Sequence, residues 1–197
     1  ASKTNKEWSY RWIADPKSFR HTTWMPSYFD QSNNSDPESK ARSAQEIHAI
    51  VDFLFAESEE YKMKGMPAAP LPGSAGDVKK GEELVASVGC LACHVVNKDV
   101  TNKPVRSLDQ LKREQGPNLI GFGNKTSKAW IYDWLKDPNR YHPATRMPNL
   151  RLSDDEAADI AAYLSQDTNS EFYKKAIPPV DEKVLNEIVL QFLRKSL

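Results

Sequence analysis

Both cysteines of the chain lie in one short stretch, Cys90-Leu91-Ala92-Cys93-His94, in which a histidine directly follows the second cysteine. In a C-x-x-C-H pattern the two thiols form thioethers with the vinyl groups of a haem, and the histidine becomes the proximal ligand of its iron. A structural zinc site needs four ligands, and the sequence has neither a second C-x-x-C pair nor an H-x-x-x-H pair. A thioredoxin-like redox pair follows a strand, whereas Cys90 follows a helical pattern. The spacing therefore predicts one haem on Cys90 and Cys93, with His94 on the iron, in preference to a zinc site, a redox pair or a disulfide.

The composition limits the other classes of function. The 197 residues include 27 lysines and arginines against 27 aspartates and glutamates, so the chain is formally neutral. A nucleic-acid partner would require a clustered basic face, and we therefore expect none. No apolar run is long enough to cross a bilayer, which predicts a chain without a transmembrane segment. No signal peptide is recognisable at its start, and we expect that one has been removed.

An internal repeat is the second organising feature of the sequence. Residues 3–12 match residues 125–134, with Lys, Thr, Lys, Trp, Tyr and Trp recurring in register. The same register continues into two further pairs of dipeptides: Asp15-Pro16 with Asp137-Pro138, and Met25-Pro26 with Met147-Pro148.

Each copy of the repeat is predicted to continue into an amphipathic helix. A polar insert at residues 31–40 of the first copy is typical of a solvated loop. Each helix is then expected to begin at a capping box, in which a serine side chain caps the first amides and a glutamate reaches back. The capping pairs are Ser43 with Glu46 and Ser153 with Glu156, and the expected apolar faces are Ile47, Ile50, Val51 and Leu54 in the first copy and Ala157, Ile160, Ala161 and Leu164 in the second.

Three further segments complete the pattern. Residues 64–76, rich in proline, glycine and alanine, favour an extended linker. Asp77 is a plausible N-cap for a helix that runs to Val88, and a short helical patch is expected at residues 107–111. The tail predicts a helix from Pro178-Pro179, with an apolar stripe that requires a partner not identifiable from the sequence.

Residues from about 77 to 166 resemble a complete class I cytochrome c. The resemblance rests on Gly81 in the first helix, the C-x-x-C-H motif, the segment 116–119, the Met147-Pro148 pair and the last helix, which ends in Ala162-Tyr163-Leu164. It implies a small all-α fold in which the first and last helices cross near Gly81 and Tyr163. It also implies that Met147 is the distal iron ligand, and that the Pro117 carbonyl faces the other ring nitrogen of His94.

Residues from about 3 to 55 resemble the second half of another such module, with Phe53 in the position of Tyr163. Met25 would then be the distal ligand of a haem that this chain has no motif to attach. We therefore expect four regions: a half-module at 1–56, a linker at 57–76, a complete domain at 77–166 and a helical extension at 167–197. The chain is interpreted as part of a longer tandem multihaem cytochrome. The alternative is a natural monohaem protein that keeps a degenerate half-domain.

The aromatic residues before Met147 are expected to line the haem. Trp130, Tyr132 and Trp134 would wall it with apolar surface, and one of them could also donate to a haem propionate. His142 is the rival to Met147 for the sixth position because it lies close in sequence.

The resemblance implies an electron carrier without enzymatic activity. A histidine and a methionine fill both axial positions of the iron, which leaves little room for dioxygen or peroxide. The expected partners are redox protein donors and acceptors, neighbouring cytochrome modules or a second copy of the chain. Thioether attachment implies an extracytoplasmic, periplasmic location. The alternative function is a haem enzyme or a gas or redox sensor with an open sixth position.

Overall fold

The computed structural model describes residues 3–20, 23–31, 33, 35–60, 75–96 and 116–196. These residues form two compact units: a first unit of residues 3–60 and 170–196, and a second unit of residues 75–96 and 116–169. Helices and no strands occur among the described residues, which confirms the predicted all-α class. In chain order the helices are α1 (Lys6–Ala14), α2 (Pro16–Phe19), α3 (Pro37–Glu60), α4 (Val78–Ser87), α5 (Phe122–Lys125), α6 (Lys128–Lys136), α7 (Pro138–Tyr141), α8 (Asp154–Gln166) and α9 (Glu182–Ser196).

Two crossing helices organise the second unit. Helix α4 packs against α8, and a Cβ atom added at Gly81 would overlap the backbone carbonyl of Asp159 and the Cβ of Tyr163. Only glycine permits this close approach, so the crossing that the resemblance implied near Gly81 and Tyr163 is present. Helix α6 packs on the same side of the core, which buries Ile131 and Ile160 completely.

Polar caps begin both crossing helices as the sequence predicted. The carboxylate of Asp77 accepts hydrogen bonds from the first amides of α4, at 2.9 and 3.1 Å. Ser153 and Glu156 form a complete capping box at the start of α8. These contacts satisfy amide groups that would otherwise have no partner in the first turn of each helix.

Helix α3 begins six residues before the predicted capping box, so the prediction at Ser43 was wrong. The Asp36 carboxylate accepts a hydrogen bond from the Ser39 amide at 2.7 Å, and Pro37 occupies the first turn. Both features favour the start of a helix. Ser43 lies inside the helix, where its hydroxyl donates to the Ser39 carbonyl at 2.7 Å. The end of the predicted loop at residues 31–40 therefore belongs to the helix.

Only part of the predicted apolar face of α3 is buried. Ile47 and Val51 pack with Tyr10 of α1 in the core of the first unit. Ile50 and Leu54, which the sequence grouped with them, are exposed.

The tail packs into the first unit rather than forming a separate element. Helix α9 begins at Glu182 rather than at Pro178, because the Asp181 carboxylate caps it by accepting hydrogen bonds from the first amides of the helix. It packs against α3 and buries Ile188, but Val189, Phe192 and Leu193 of the predicted apolar stripe are exposed.

A short 3-10 helix at Ser170–Tyr173 packs against α2. It places Phe172 in an aromatic cluster with Trp8 and Phe19.

Two predicted segments lie outside the described residues, namely most of the linker (residues 61–74) and the helical patch at 107–111. Among the helices that the structure does describe, none has the length and apolar character needed to span a membrane.

Candidate haem site

The C-x-x-C-H motif follows α4 through a left-handed turn. Gly89 has a φ angle of 98°, a conformation that side-chain-bearing residues rarely adopt. The chain then forms a 3-10 turn at Cys90–Ala92, and the His94 amide donates to the Cys90 carbonyl at 2.9 Å. This turn fixes the backbone positions of both cysteines relative to the histidine.

The two cysteines are half-buried and are not joined in a disulfide. Cys90 packs against the core of the second unit. Burial raises the pKa of the Cys90 thiol above its ordinary value. Because neither thiol is in a disulfide, both are available for covalent attachment of a cofactor.

His94 is oriented by the loop that contains Pro117. Its Nδ1 lies 2.7 Å from the Pro117 carbonyl oxygen, the contact that the resemblance implied. Because a carbonyl oxygen can only accept, Nδ1 carries the proton and Nε2 keeps its lone pair for a metal ion. Gly116 makes this arrangement possible, since a Cβ there would lie 2.5 Å from Cε1 of the His94 ring.

Met147 is contacted by one of the three aromatic side chains that the sequence predicted to line the haem. The indole N–H of Trp134 donates to the Met147 sulfur, with Nε1 2.8 Å from Sδ. The Met147 amide also donates to the Thr145 hydroxyl oxygen at 3.2 Å, which orients the backbone of the loop. The thioether is thus half-buried against the core and fixed in direction.

An aromatic cluster supports the Trp134 side chain. Trp130 and Trp134 are stacked, with ring centroids 5.3 Å apart and an interplanar angle of 17°. Tyr141 packs edge-on against both rings, at 5.3 and 5.7 Å. Tyr141 was not predicted as a site residue, although aromatic Phe19 occupies the same register in the first copy of the repeat.

Tyr132 points away from this cluster. It lies two residues from Trp130 and from Trp134 on the same helix, which places it on the opposite face of α6. Its hydroxyl donates to the Asp154 carboxylate at 3.0 Å, and Lys136 pairs with the same carboxylate at 2.9 Å. Burial and the contact with Asp154 raise the pKa of Tyr132 to about 12.

The remaining polar candidates lie at the surface of the second unit. His142, the rival ligand, is exposed, whereas Met147 is half-buried. Arg140 lies 3.7 Å from Asp133 in an ion pair. Cys90, Cys93, His94 and Met147 therefore remain the candidate residues for a haem, with Trp134 in contact with Met147.

The donor set of this site fits a haem. Among the described residues, no cluster of three or more histidines, cysteines, aspartates and glutamates could hold a metal ion. The His94 imidazole and the oriented Met147 thioether are the side chains that would hold a haem iron, which would supply one-electron chemistry at this site.

The family model for cytochrome c matches residues 78–167. Cytochrome c of Guizotia abyssinica is 34% identical over 105 residues, which cover 48% of this chain and 93% of that protein. The chain belongs to the cytochrome c family. Cytochrome c of Gossypium barbadense is similar to it at 33% identity, with 47% of this chain and 92% of that protein covered.

Membership of the cytochrome c family establishes the cofactor, which is covalently bound haem c with its iron. It also establishes haem-based electron transfer as the general function, with redox proteins as partners.

A longer match extends beyond the cytochrome c domain. Cytochrome c oxidase subunit 2 of Bacillus subtilis is 26% identical over 182 residues, which cover 74% of this chain. The chain spans about half of the length of that protein, 49%. No solved structure gave a significant match.

Proposed function

We propose that this cytochrome c carries single electrons between extracytoplasmic redox partners. Its haem is attached to Cys90 and Cys93, and its iron is ligated by His94 and Met147. The observation that supports this most directly is the hydrogen bond from Trp134 to the Met147 sulfur, because it orients a thioether that would otherwise be a flexible apolar side chain. The haem supplies the one-electron couple of its iron.

The protein side chains tune that couple through the two ligands. A neutral, soft thioether favours ferrous iron and gives a higher potential than a second histidine. On the other side, the Pro117 carbonyl accepts the Nδ1 proton of His94, which fixes the ring and increases the basicity of Nε2. The protein thus holds both ligands before and after electron transfer, and little reorganisation is needed.

Two filled axial positions also favour a carrier over an enzyme or sensor. Binding of peroxide or a small gas would require displacement of Met147, which the Trp134 contact and the Thr145 contact oppose. The peroxidase or sensor alternative therefore depends on an open iron, which makes it directly testable.

A larger redox assembly is the proposed context. Thioether attachment takes place outside the cytoplasm in this family, which supports a periplasmic location. The Bacillus subtilis match is named as an oxidase subunit, and this supports a haem module that works as part of a longer protein. The internal repeat supports a parent with several cytochrome modules in tandem.

The test is the absorption spectrum of the haem-loaded chain, with a pyridine haemochrome assay of haem per chain. We expect one haem c and a weak far-red band from methionine on ferric iron. Met147→Ala should abolish that band and open the iron to cyanide. Met66→Ala is the matched control, because Met66-Pro67 is also a Met-Pro pair but has no expected ligand role. A high-spin ferric spectrum in the unmodified chain would refute the carrier proposal and favour the enzyme or sensor.

A further inference from the structure

The methionine loop of the first unit has the same local geometry as the loop that holds Met147. The Met25 amide donates to the Thr23 hydroxyl oxygen at 3.2 Å, and the Met147 amide donates to the Thr145 hydroxyl oxygen at the same distance. Both methionine side chains are half-buried. The first unit therefore contains a folded loop of the type proposed to present a thioether to iron.

The aromatic cluster beside that loop is also duplicated. Trp8 and Trp12 are stacked at 5.2 Å with an interplanar angle of 13°, and Phe19 meets Trp8 edge-on at 5.4 Å and 89°. The matching rings of the second unit are 5.3 Å apart at 17°, with an edge-on contact at 5.3 Å and 89°. The ring geometry is thus the same in the two units, whereas among the described residues an N–H to sulfur contact occurs only between Trp134 and Met147.

A tyrosine contact agrees with the register in which the sequence repeat aligns α3 with α8. The Tyr10 hydroxyl donates to the Ala44 carbonyl at 3.4 Å. The Tyr132 hydroxyl, one repeat later, donates to the Asp154 side chain at 3.0 Å. The sequence register pairs Ala44 with Asp154, so both tyrosines reach the same position, although one acceptor is a backbone carbonyl and the other a carboxylate. In that register Phe53 pairs with Tyr163.

The two helices differ in what covers their matching positions. Ile160 and Leu164 of α8 are only 0% and 7% exposed, whereas their counterparts Ile50 and Leu54 of α3 are 38% and 46% exposed. Phe53 is 63% exposed, whereas its counterpart Tyr163 is partly buried.

Helix α4 covers the Tyr163 position in the second unit. It crosses α8 at Tyr163 and leads directly into Cys90. In the first unit, α9 contacts the earlier part of α3, through residues such as Arg42, and leaves Phe53 exposed. The surface that a haem-bearing segment covers in one unit is therefore exposed in the other.

We propose that the first unit is one half of a second haem site, with Met25 as the ligand that it contributes. The other half is a haem-bearing segment of the same kind as residues 77–96, that is, a short helix followed by Cys-x-x-Cys-His with its haem attached. This assignment rests on the proposed ligation by Met147, because Met25 is identified by its equivalence to that residue.

The chemistry of such a partner matches the exposed surface. Its helix would bury Ile50, Phe53 and Leu54, which favours association through loss of apolar area from water. Its haem would carry a histidine on one side and a weakly bound water on the other. A lone pair of the Met25 sulfur would replace that water, with no change in oxidation state.

The experiment titrates the haem-loaded chain with a ferric haem peptide, a proteolytic fragment of a cytochrome c that retains Cys-x-x-Cys-His and has water in its sixth position. We expect the iron of the peptide to change from high spin to low spin. The intensity of the far-red band should double at saturation, because each chain would then hold two methionine-ligated haems instead of one. Met25→Leu keeps the apolar packing but removes the sulfur, and it should abolish the increase. Phe53→Ser should weaken binding at least tenfold, since it removes exposed apolar contact area from the proposed interface.

The controls separate this proposal from the one on which it rests. Met66→Ala should bind the peptide as the unmodified chain does, and thermal denaturation would show that each variant is folded. No spectral change in the peptide, or a change that persists in Met25→Leu, would overturn the second haem site. Absence of the far-red band before any peptide is added would instead overturn the Met147 ligation.

Discussion

Replacement of Trp134 by phenylalanine tests how the protein sets its reduction potential. The substitution retains an aromatic ring against Trp130 and Tyr141 but removes the N–H that donates to Met147. A donor draws electron density from the sulfur and makes it a weaker ligand for ferric iron. The wild-type hydrogen bond therefore favours the ferrous state, and its removal should lower the potential.

The size of the change follows from the strength of one hydrogen bond. A typical net contribution is about 0.5–1.5 kcal/mol. For a one-electron couple a tenfold change in equilibrium corresponds to about 1.4 kcal/mol and to about 59 mV. If most of this hydrogen-bond energy stabilises the ferrous state relative to the ferric state, Trp134→Phe should lower the reduction potential by about 20–60 mV.

The assay is a spectroelectrochemical titration of the haem-loaded chain. Trp24→Phe is the matched control, because the Trp24 side chain is 95% exposed and lies in the first unit, so it should leave the potential unchanged. The far-red band should remain in both variants. An unchanged or raised potential in Trp134→Phe, with the band intact, would refute the proposed role of the hydrogen bond.

Three further predictions concern the packing of the second unit. Gly81→Ala should lower the free energy of unfolding by about 1–3 kcal/mol in urea denaturation, because the new methyl group overlaps the backbone of α8. The exposed Glu82→Ala on the same helix is its control, and equal effects would contradict the close crossing. Gly116→Ala should displace the His94 ring, and an electron paramagnetic resonance spectrum identical to wild type would contradict this. Tyr132→Phe should lower the free energy of unfolding by a constant amount below pH 10. Burial and Asp154 raise the pKa of Tyr132 from its ordinary value of 10.0 to about 12, so the folded state holds the phenolic proton more tightly than the unfolded state does. That stabilisation is lost as the pH rises from 10 towards 12. The measurement is the difference in free energy of unfolding between the wild type and Tyr132→Phe, obtained by urea denaturation. A difference that stays constant through this pH range would contradict the raised pKa of Tyr132.

The sequence determined the chemistry of the haem site because that chemistry depends on residue types at short spacings. The motif from Cys90 to His94 lies in five consecutive residues, and its function requires no knowledge of the distant chain. Helix starts at Asp77 and Ser153 were also predictable, since a cap is a local interaction between a side chain and amides two or three residues later. The start of α3 was mispredicted for a related reason: Asp36 and Ser43 are both good caps, and local sequence does not rank them.

Only the tertiary structure decided which side chains meet across the chain. Trp134 and Met147 are 13 residues apart, and the sequence could not distinguish an indole that walls a cavity from one that donates to a ligand. The same limit applies to Tyr132, whose phenol contacts Asp154 on another helix. The apolar residues of α3 show the limit most clearly. Periodicity predicted an amphipathic helix, but burial depends on whether a partner covers each apolar side chain, and for Ile50 and Leu54 the described residues provide none that buries them.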